Sequence, residues 1–154
     1  MLGSKDMKKA SKSIKIIVDT NVWISFLIGK SLKGLQAYID SQAVLIVTCN
    51  EQILELSEVF KKPKLKKYFT SGQIDEFFEL LVESSINIII KTKTELCRDL
   101  KDNFLLSLAI DSNSDYLITG DNDLLVLENV QKTKIIKFNE FEKIMIPRRE
   151  SSTR

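Results

Sequence analysis

Several stretches of this 154-residue chain place carboxylates where a hard cation could use them. Asp19 directly follows the β-branched run Ile14-Lys15-Ile16-Ile17-Val18. Asp121 and Asp123 follow Tyr116-Leu117-Ile118-Thr119 across Gly120. Between them in sequence come Glu51, Glu55 and Glu58, then Asp99 and Asp102. Glu51 and Glu55 are four residues apart, which makes them neighbours on one face of a helix, and Glu58 lies three beyond Glu55. Carboxylates drawn into one pocket repel each other unless a cation neutralises them, and an all-oxygen donor set suits Mg²⁺ or Mn²⁺. An ion so held lowers the pKa of water and stabilises the transition state of a phosphodiester displacement.

The chain contains no histidine. That excludes Ser-His-Asp and Cys-His nucleophile machinery, histidine-based zinc sites and ribonuclease chemistry that uses histidine as acid and base. Any hydrolysis must run on carboxylates. The two cysteines, Cys49 and Cys97, are far apart and show no CxxC spacing, so neither a zinc site nor a disulfide scaffold is expected, and both read as inert. This pattern points to a reducing cytoplasm. The composition, 44% hydrophobic and 29% charged, is that of a soluble globular domain. No apolar run approaches the roughly 20 residues of a spanning helix.

The acids need strands and helices to bring them together. Ile14 to Val18 reads as a buried strand, and the polar Asp19-Thr20-Asn21 as the cap of a helix from Val22 to Ile28. A second helix carries Leu32, Leu35 and Tyr38, and residues 43–47 form the second strand. Asn50 is the expected N-cap of a helix bearing Ile53, Leu56 and Phe60. Pro63 interrupts, and Ser71 starts another helix with Ile74, Phe77, Phe78 and Leu81 along one side. Residues 86–90 form the third strand. A helix opens at Asp102 or Asn103, residues 116–119 form the fourth strand, and residues 134–138 the fifth. Phe141, Ile144 and Met145 lie on a last helix. Strands alternating with helices predict a three-layer α/β/α sandwich around a parallel, about five-stranded sheet. Ligands of such sheets bind beyond the carboxyl ends of the strands, where Asp19 and Asp121 fall. The expected organisation is a basic, disordered tail over 1–13, a domain over 14–146 and a tail over 147–154.

Four motifs, in order, resemble those of the PIN-domain family: Val18-Asp19-Thr20-Asn21-Val22, Glu55-Leu56-Ser57-Glu58-Val59, CRDLKDN at 97–103 and LITGDNDLL at 117–125. The resemblance runs from about Ile14 to Ile144. More narrowly, the chain is similar to the PIN proteins classed as toxins of toxin–antitoxin pairs. It implies a Rossmann-like fold and a small metal-dependent nuclease, usually acting on RNA. Carried over by motif, the acids are Asp19, Glu55, Asp102 and Asp121, with Asp123 close behind as a further metal ligand. Thr20, Asn21, Asn103 and Thr119 would be polar support. The implied ions are one or two Mg²⁺ or Mn²⁺, and the implied reaction leaves 5′-phosphate and 3′-hydroxyl ends. A protein antitoxin and a homodimer are the partners such a toxin would have. Among the helix glutamates, Glu51 and Glu58 compete with Glu55, and Asp99 competes with Asp102. Asp111 and Asp115 read as surface and capping residues, and Trp23 as core.

Charge is unevenly spread. The net charge is +2, yet residues 1–15 carry +4, the Lys61-Lys62-Pro63-Lys64-Leu65-Lys66-Lys67 run carries +5 and the tail from Arg148 carries +2. Those three segments hold +11 together, which leaves −9 on the rest. An acidic body with basic appendages suits a carboxylate site that must attract a polyanion, so Lys61, Lys62, Lys64, Lys66 and Lys67 are expected to touch nucleic acid. Two other α/β classes use aspartates and Mg²⁺. A receiver domain wants a phospho-acceptor after its third strand, where this chain has Lys91-Thr92. An Asp-x-Asp phosphatase wants its second acid at Asn21. A PIN module that binds nucleic acid without cutting it would lack one acid, whereas a full set is available here.

Overall fold

The computed structural model describes residues 13–29, 32–94, 96 and 103–152. Its centre is a six-stranded sheet in the spatial order β3-β2-β1-β4-β6-β5. The strands are β1 Ile14–Val18, β2 Val44–Thr48, β3 Ser85–Asn87, β4 Tyr116–Ile118, β5 Asn129–Val130 and β6 Thr133–Ile136. The first four and β6 pair in parallel; β5 is antiparallel to β6. The helices are α1 Thr20–Gly29, α2 Leu32–Asp40, α3 Asn50–Phe60, α4 Pro63–Lys66, α5 Ser71–Ser84, α6 Asn103–Ser112, α7 Asn122–Leu125 and α8 Phe138–Ser152.

Alternation along β1 explains the layers. Ile14, Ile16 and Val18 join one core cluster with Trp23, Phe26, Leu35, Leu56, Phe77 and Phe141. Ile17 points the other way, into a second cluster with Val47, Leu105, Leu106, Leu108 and Leu117. Successive strand residues face opposite sides, so helices must cover both faces of a sheet whose central strands bury apolar residues on each. The expected α/β fold is therefore present, and Trp23 is core, at 3% exposure.

Local boundaries differ in instructive ways. The third strand ends at Asn87 rather than Ile90. Ile88 and Ile90 still pack against the second cluster, so their hydrophobicity reports burial rather than strand pairing. The last parallel strand spans Thr133–Ile136, and Phe138 already belongs to α8. The two-residue β5, too short to carry a hydrophobic period, adds an antiparallel edge. Asn50 is not the cap of α3: Cys49 holds that position, without a side-chain hydrogen bond. Instead Asn50 Oδ1 accepts a 3.0 Å hydrogen bond from Asn87 Nδ2, bridging to the end of β3. Thr70 caps α5 and forms a capping box with Gln73.

Two acids read as surface residues anchor backbone. The Asp115 carboxylate accepts from Lys15 N–H at 2.9 Å, at the start of β1. The Asp111 carboxylate accepts from Lys91 N–H at 2.7 Å and Thr92 N–H at 2.9 Å, and also from the Thr92 hydroxyl. These bonds hold the Asp111 carboxyl below the usual carboxylate range, the Thr92 hydroxyl contributing most.

Candidate active site

Asp19 sits one residue past β1, and its position is set by register. Val18 pairs with Ile118, so the next residues, Asp19 and Thr119, leave the sheet side by side. Asp19 N–H donates to Ile118 O at 2.9 Å, extending the ladder by one bond. Its carbonyl then accepts from Val22 and Trp23, which starts α1. Thus Asp19 both caps a helix and presents a carboxylate.

That carboxylate is 4% exposed. Oδ2 accepts a 2.6 Å hydrogen bond from Thr119 Oγ1, and Oδ1 accepts from Asn21 N–H at 3.3 Å. Burial pushes the Asp19 carboxyl above the ordinary carboxylate range. The Thr119 and Asn21 bonds oppose that rise, while the negative charges of Glu55 and Asp121 add to it. None of the described ion pairs reaches Asp19. A buried acid in the field of two other acids is unfavourable for a bare carboxylate and favourable for a cation.

Thr119 is 1% exposed and ties two acid positions together. While its hydroxyl donates to Asp19, the same oxygen accepts from Asp121 N–H at 3.0 Å. Asp121 in turn caps α7, accepting from Asp123 N–H at 2.9 Å. Asp121 and Asp123 are both half-buried. Thr20, at 2% exposure, is the buried polar neighbour of Asp19, and its Oγ1 has no hydrogen-bond partner among the described residues. Asn21 supports Asp19 through its backbone, its side chain being exposed. Asn103 is buried at the head of α6, where it begins the second core layer.

The glutamate on α3 is distinguished by its surroundings. Glu55 is half-buried and its charge acts on Asp19. Glu51 is exposed and acts on Cys49. Glu58 is exposed and pairs with Lys61 at 3.5 Å. Asp102, with its competitor Asp99 and with Cys97, lies outside the described residues. Cys49 is fully buried, and burial pushes its thiol up to about 11, so it is inert as a nucleophile.

Gln52 is a residue that the search for acids misses. It is fully buried. Its Nε2 donates to Val18 O, and its Oε1 accepts from Thr48 Oγ1 at 2.6 Å. Gln52 therefore bolts α3 to the ends of β1 and β2, one helical turn before Glu55. Its signal was an amide in the apolar i, i+4, i+8 series Gln52, Leu56, Phe60.

The donors suit a hard cation: they are oxygens only, and an orphaned hydroxyl lies beside the most buried acid. Among the described residues, no three acid, cysteine or histidine side chains are gathered tightly enough to hold a metal alone. Asp19, Glu55 and Asp121 are oxygen donors of the kind such an ion takes, and the charges of Glu55 and Asp121 both act on Asp19.

The family model described as PIN domain matches residues 15–123, a span from β1 to α7 that takes in Asp19, Glu55 and Asp121. This chain belongs to the PIN-domain family. PIN domains are generally nucleases and typically bind divalent metals. The chain is also 33% identical, over 139 residues and 86% of each protein, to an uncharacterized protein of Methanocaldococcus jannaschii. No solved structure matches it significantly. Within this PIN domain, the five lysines from Lys61 to Lys67 surround α4 and are all exposed. No helix of the described residues is long and apolar enough to cross a membrane.

Proposed function

We propose that this PIN domain is a metal-dependent endoribonuclease acting in the cytoplasm as the toxin of a toxin–antitoxin pair. The observation that carries the nuclease reading is Asp19: a buried carboxylate, held by Thr119 at 2.6 Å and pressed by the charges of Glu55 and Asp121. Asp19, Glu55 and Asp121 would hold one or two Mg²⁺ or Mn²⁺ ions, with Asp123 and Asp102 as further ligands. When bound, the ion supplies a lowered water pKa and charge stabilisation at the scissile phosphate. The protein's own groups keep the ligands in place. Thr119 orients Asp19 and fixes the Asp121 backbone, Asn21 N–H holds the other Asp19 oxygen, and Gln52 sets the depth of α3 and so of Glu55. With no histidine in the chain, no imidazole is available to protonate a leaving group. Hydrolysis in line, leaving 5′-phosphate and 3′-hydroxyl ends, is the outcome this donor set favours.

The toxin role, a protein antitoxin and a homodimer come from the family resemblance. The alternative is a PIN module that binds nucleic acid without cutting it. The test compares wild type with Asp19→Asn on labelled RNA in Mn²⁺. Cleavage by wild type alone supports hydrolysis at this site. Equal cleavage by both variants would mean another site or a contaminant, and tight binding without cleavage by wild type would favour the alternative.

A further inference from the structure

The proposed role of Asp19, Glu55 and Asp121 does not use the most basic stretch of the described residues. Lys61, Lys62, Lys64, Lys66 and Lys67 fall within seven residues, and only Lys61 takes part in a described ion pair, with Glu58 at 3.5 Å. Such a cluster repels itself. A loose tail would be the least costly place for it, yet here it is built into the fold. Leu65, at 7% exposure, plugs the centre of α4 into the core. Pro63 starts α4, and Phe60 and Phe69 meet edge-on at 5.6 Å on either side of it. The lysines are thus presented on a rigid, anchored turn.

Tyr68 follows directly. It is 49% exposed, with Lys67 Nζ 5.3 Å from its ring centroid. An exposed aromatic amid lysines is a combination that binds single-stranded nucleic acid, by stacking on bases and pairing with phosphates. Beside it runs an open groove of about 570 Å³, lined by Phe60, Lys61, Lys66, Phe69 and Phe78 among others, with Asp75 as its acid. The surface is physically linked to the acids: α3 carries Glu55 and ends beside Lys61, about 9 Å of helix rise further on.

The geometry points to Lys62, Lys64, Lys66, Lys67 and Tyr68 as an exosite for single-stranded RNA, separate from the acids and holding a flank of the strand cut there. The inference rests on the proposed function for what the acids do, but not for what the turn binds. The favoured ligand is single-stranded RNA rather than an acidic protein or lipid, because neither of those requires an exposed ring to stack on.

The experiment measures binding in an Asp19→Asn background, so that the probe is not consumed. The probes are a labelled single-stranded RNA of mixed sequence, the same RNA annealed to its complement, polyglutamate, and phosphatidylserine vesicles. Replacing Lys62, Lys64 and Lys66 with Gln should weaken single-strand binding at low salt. It should also reduce the slope of log K against log salt by about 0.7 per lost contact, so about 2 in all. Tyr68→Ala should weaken single-strand binding about five-fold or more, while Tyr68→Phe retains it. The substituted side chains are exposed, so melting temperatures should not fall. An unchanged salt slope overturns the exosite, as does Tyr68→Ala binding like Tyr68→Phe. Lysine-dependent capture of polyglutamate or vesicles at least as tight as that of RNA overturns it too. The two readings fail separately. Patch-dependent binding by a wild type that cuts no RNA leaves the exosite and removes the hydrolase. Metal-dependent cleavage with an unchanged slope does the reverse.

Discussion

Thr119 Oγ1 lies 2.6 Å from Asp19 Oδ2, joining residues one hundred positions apart that the β1–β4 register sets side by side. The same hydroxyl accepts from Asp121 N–H. One buried side chain thus orients the most buried acid and fixes the backbone of a second. Thr119→Val keeps the shape and removes both bonds, leaving a buried carboxylate oxygen and an N–H unpaired. The expected cost is about 1–3 kcal/mol of stability in chemical denaturation, together with a loss of activity greater than that of Thr119→Ser. Full activity in Thr119→Val would show that this bond does not hold the site together.

Glu55 should be the glutamate that matters. Its charge reaches Asp19, whereas Glu58 is turned to Lys61 and Glu51 to Cys49. Glu55→Gln should abolish cleavage, with Glu51→Gln and Glu58→Gln close to wild type. A dead Glu58→Gln variant with an active Glu55→Gln would place the ligand on another face of α3.

The pH dependence of the metal-free protein follows from the direction of the Asp19 shift. Burial, with the Glu55 and Asp121 charges, raises its pKa above the ordinary value of 3.8. The folded form therefore binds this proton more tightly than the unfolded chain does. The stabilisation is complete below the ordinary pKa and is lost as pH rises through the raised one. Asn mimics the neutral form, so Asp19→Asn should gain on wild type as pH rises towards neutrality. Mn²⁺ should close the gap by stabilising wild type alone. Melting curves of both variants across pH, with and without Mn²⁺, check this. A stability gap that stays flat with pH would contradict the burial-driven shift. Asp111 has the opposite sign: its lowered pKa contributes stability above 3.8 that is lost as pH falls.

Gln52 offers a test away from the acids. Gln52→Leu fits the apolar face of α3 but leaves Val18 O and Thr48 Oγ1 without their partner. The cost should be about 1–3 kcal/mol in denaturation, with reduced cleavage because α3 carries Glu55. A more stable Gln52→Leu variant with full activity would make the amide dispensable.

The sheet was legible in the sequence because β1 and β2 are largely buried on both faces, so Ile14–Val18 and the run at 43–47 read as apolar blocks. The end of β1 was legible for the same reason, since Asp19 interrupts its apolar run abruptly. Two-residue β5 carries no period, and Ile88 and Ile90 are hydrophobic for packing without pairing. In the site, the role of Thr119 depends on the β1–β4 register, a long-range relation that spacing along the chain does not encode. Gln52 was hidden because an amide looks polar until the hydrogen bonds it makes inside the core are seen. Glu55 was favoured over Glu51 and Glu58 by the family motif alone; which acid its charge acts on depends on the packing of α3 against β1, which Gln52 helps to hold.

The most direct measurement of the central claim is cleavage of a labelled RNA by the wild-type protein in Mn²⁺ or Mg²⁺ and in EDTA, with the product ends identified. The account predicts cleavage with metal, none in EDTA, and 5′-phosphate with 3′-hydroxyl ends. Equal cleavage in EDTA, or 2′,3′-cyclic phosphate ends, would contradict a carboxylate-held metal as the source of the activity.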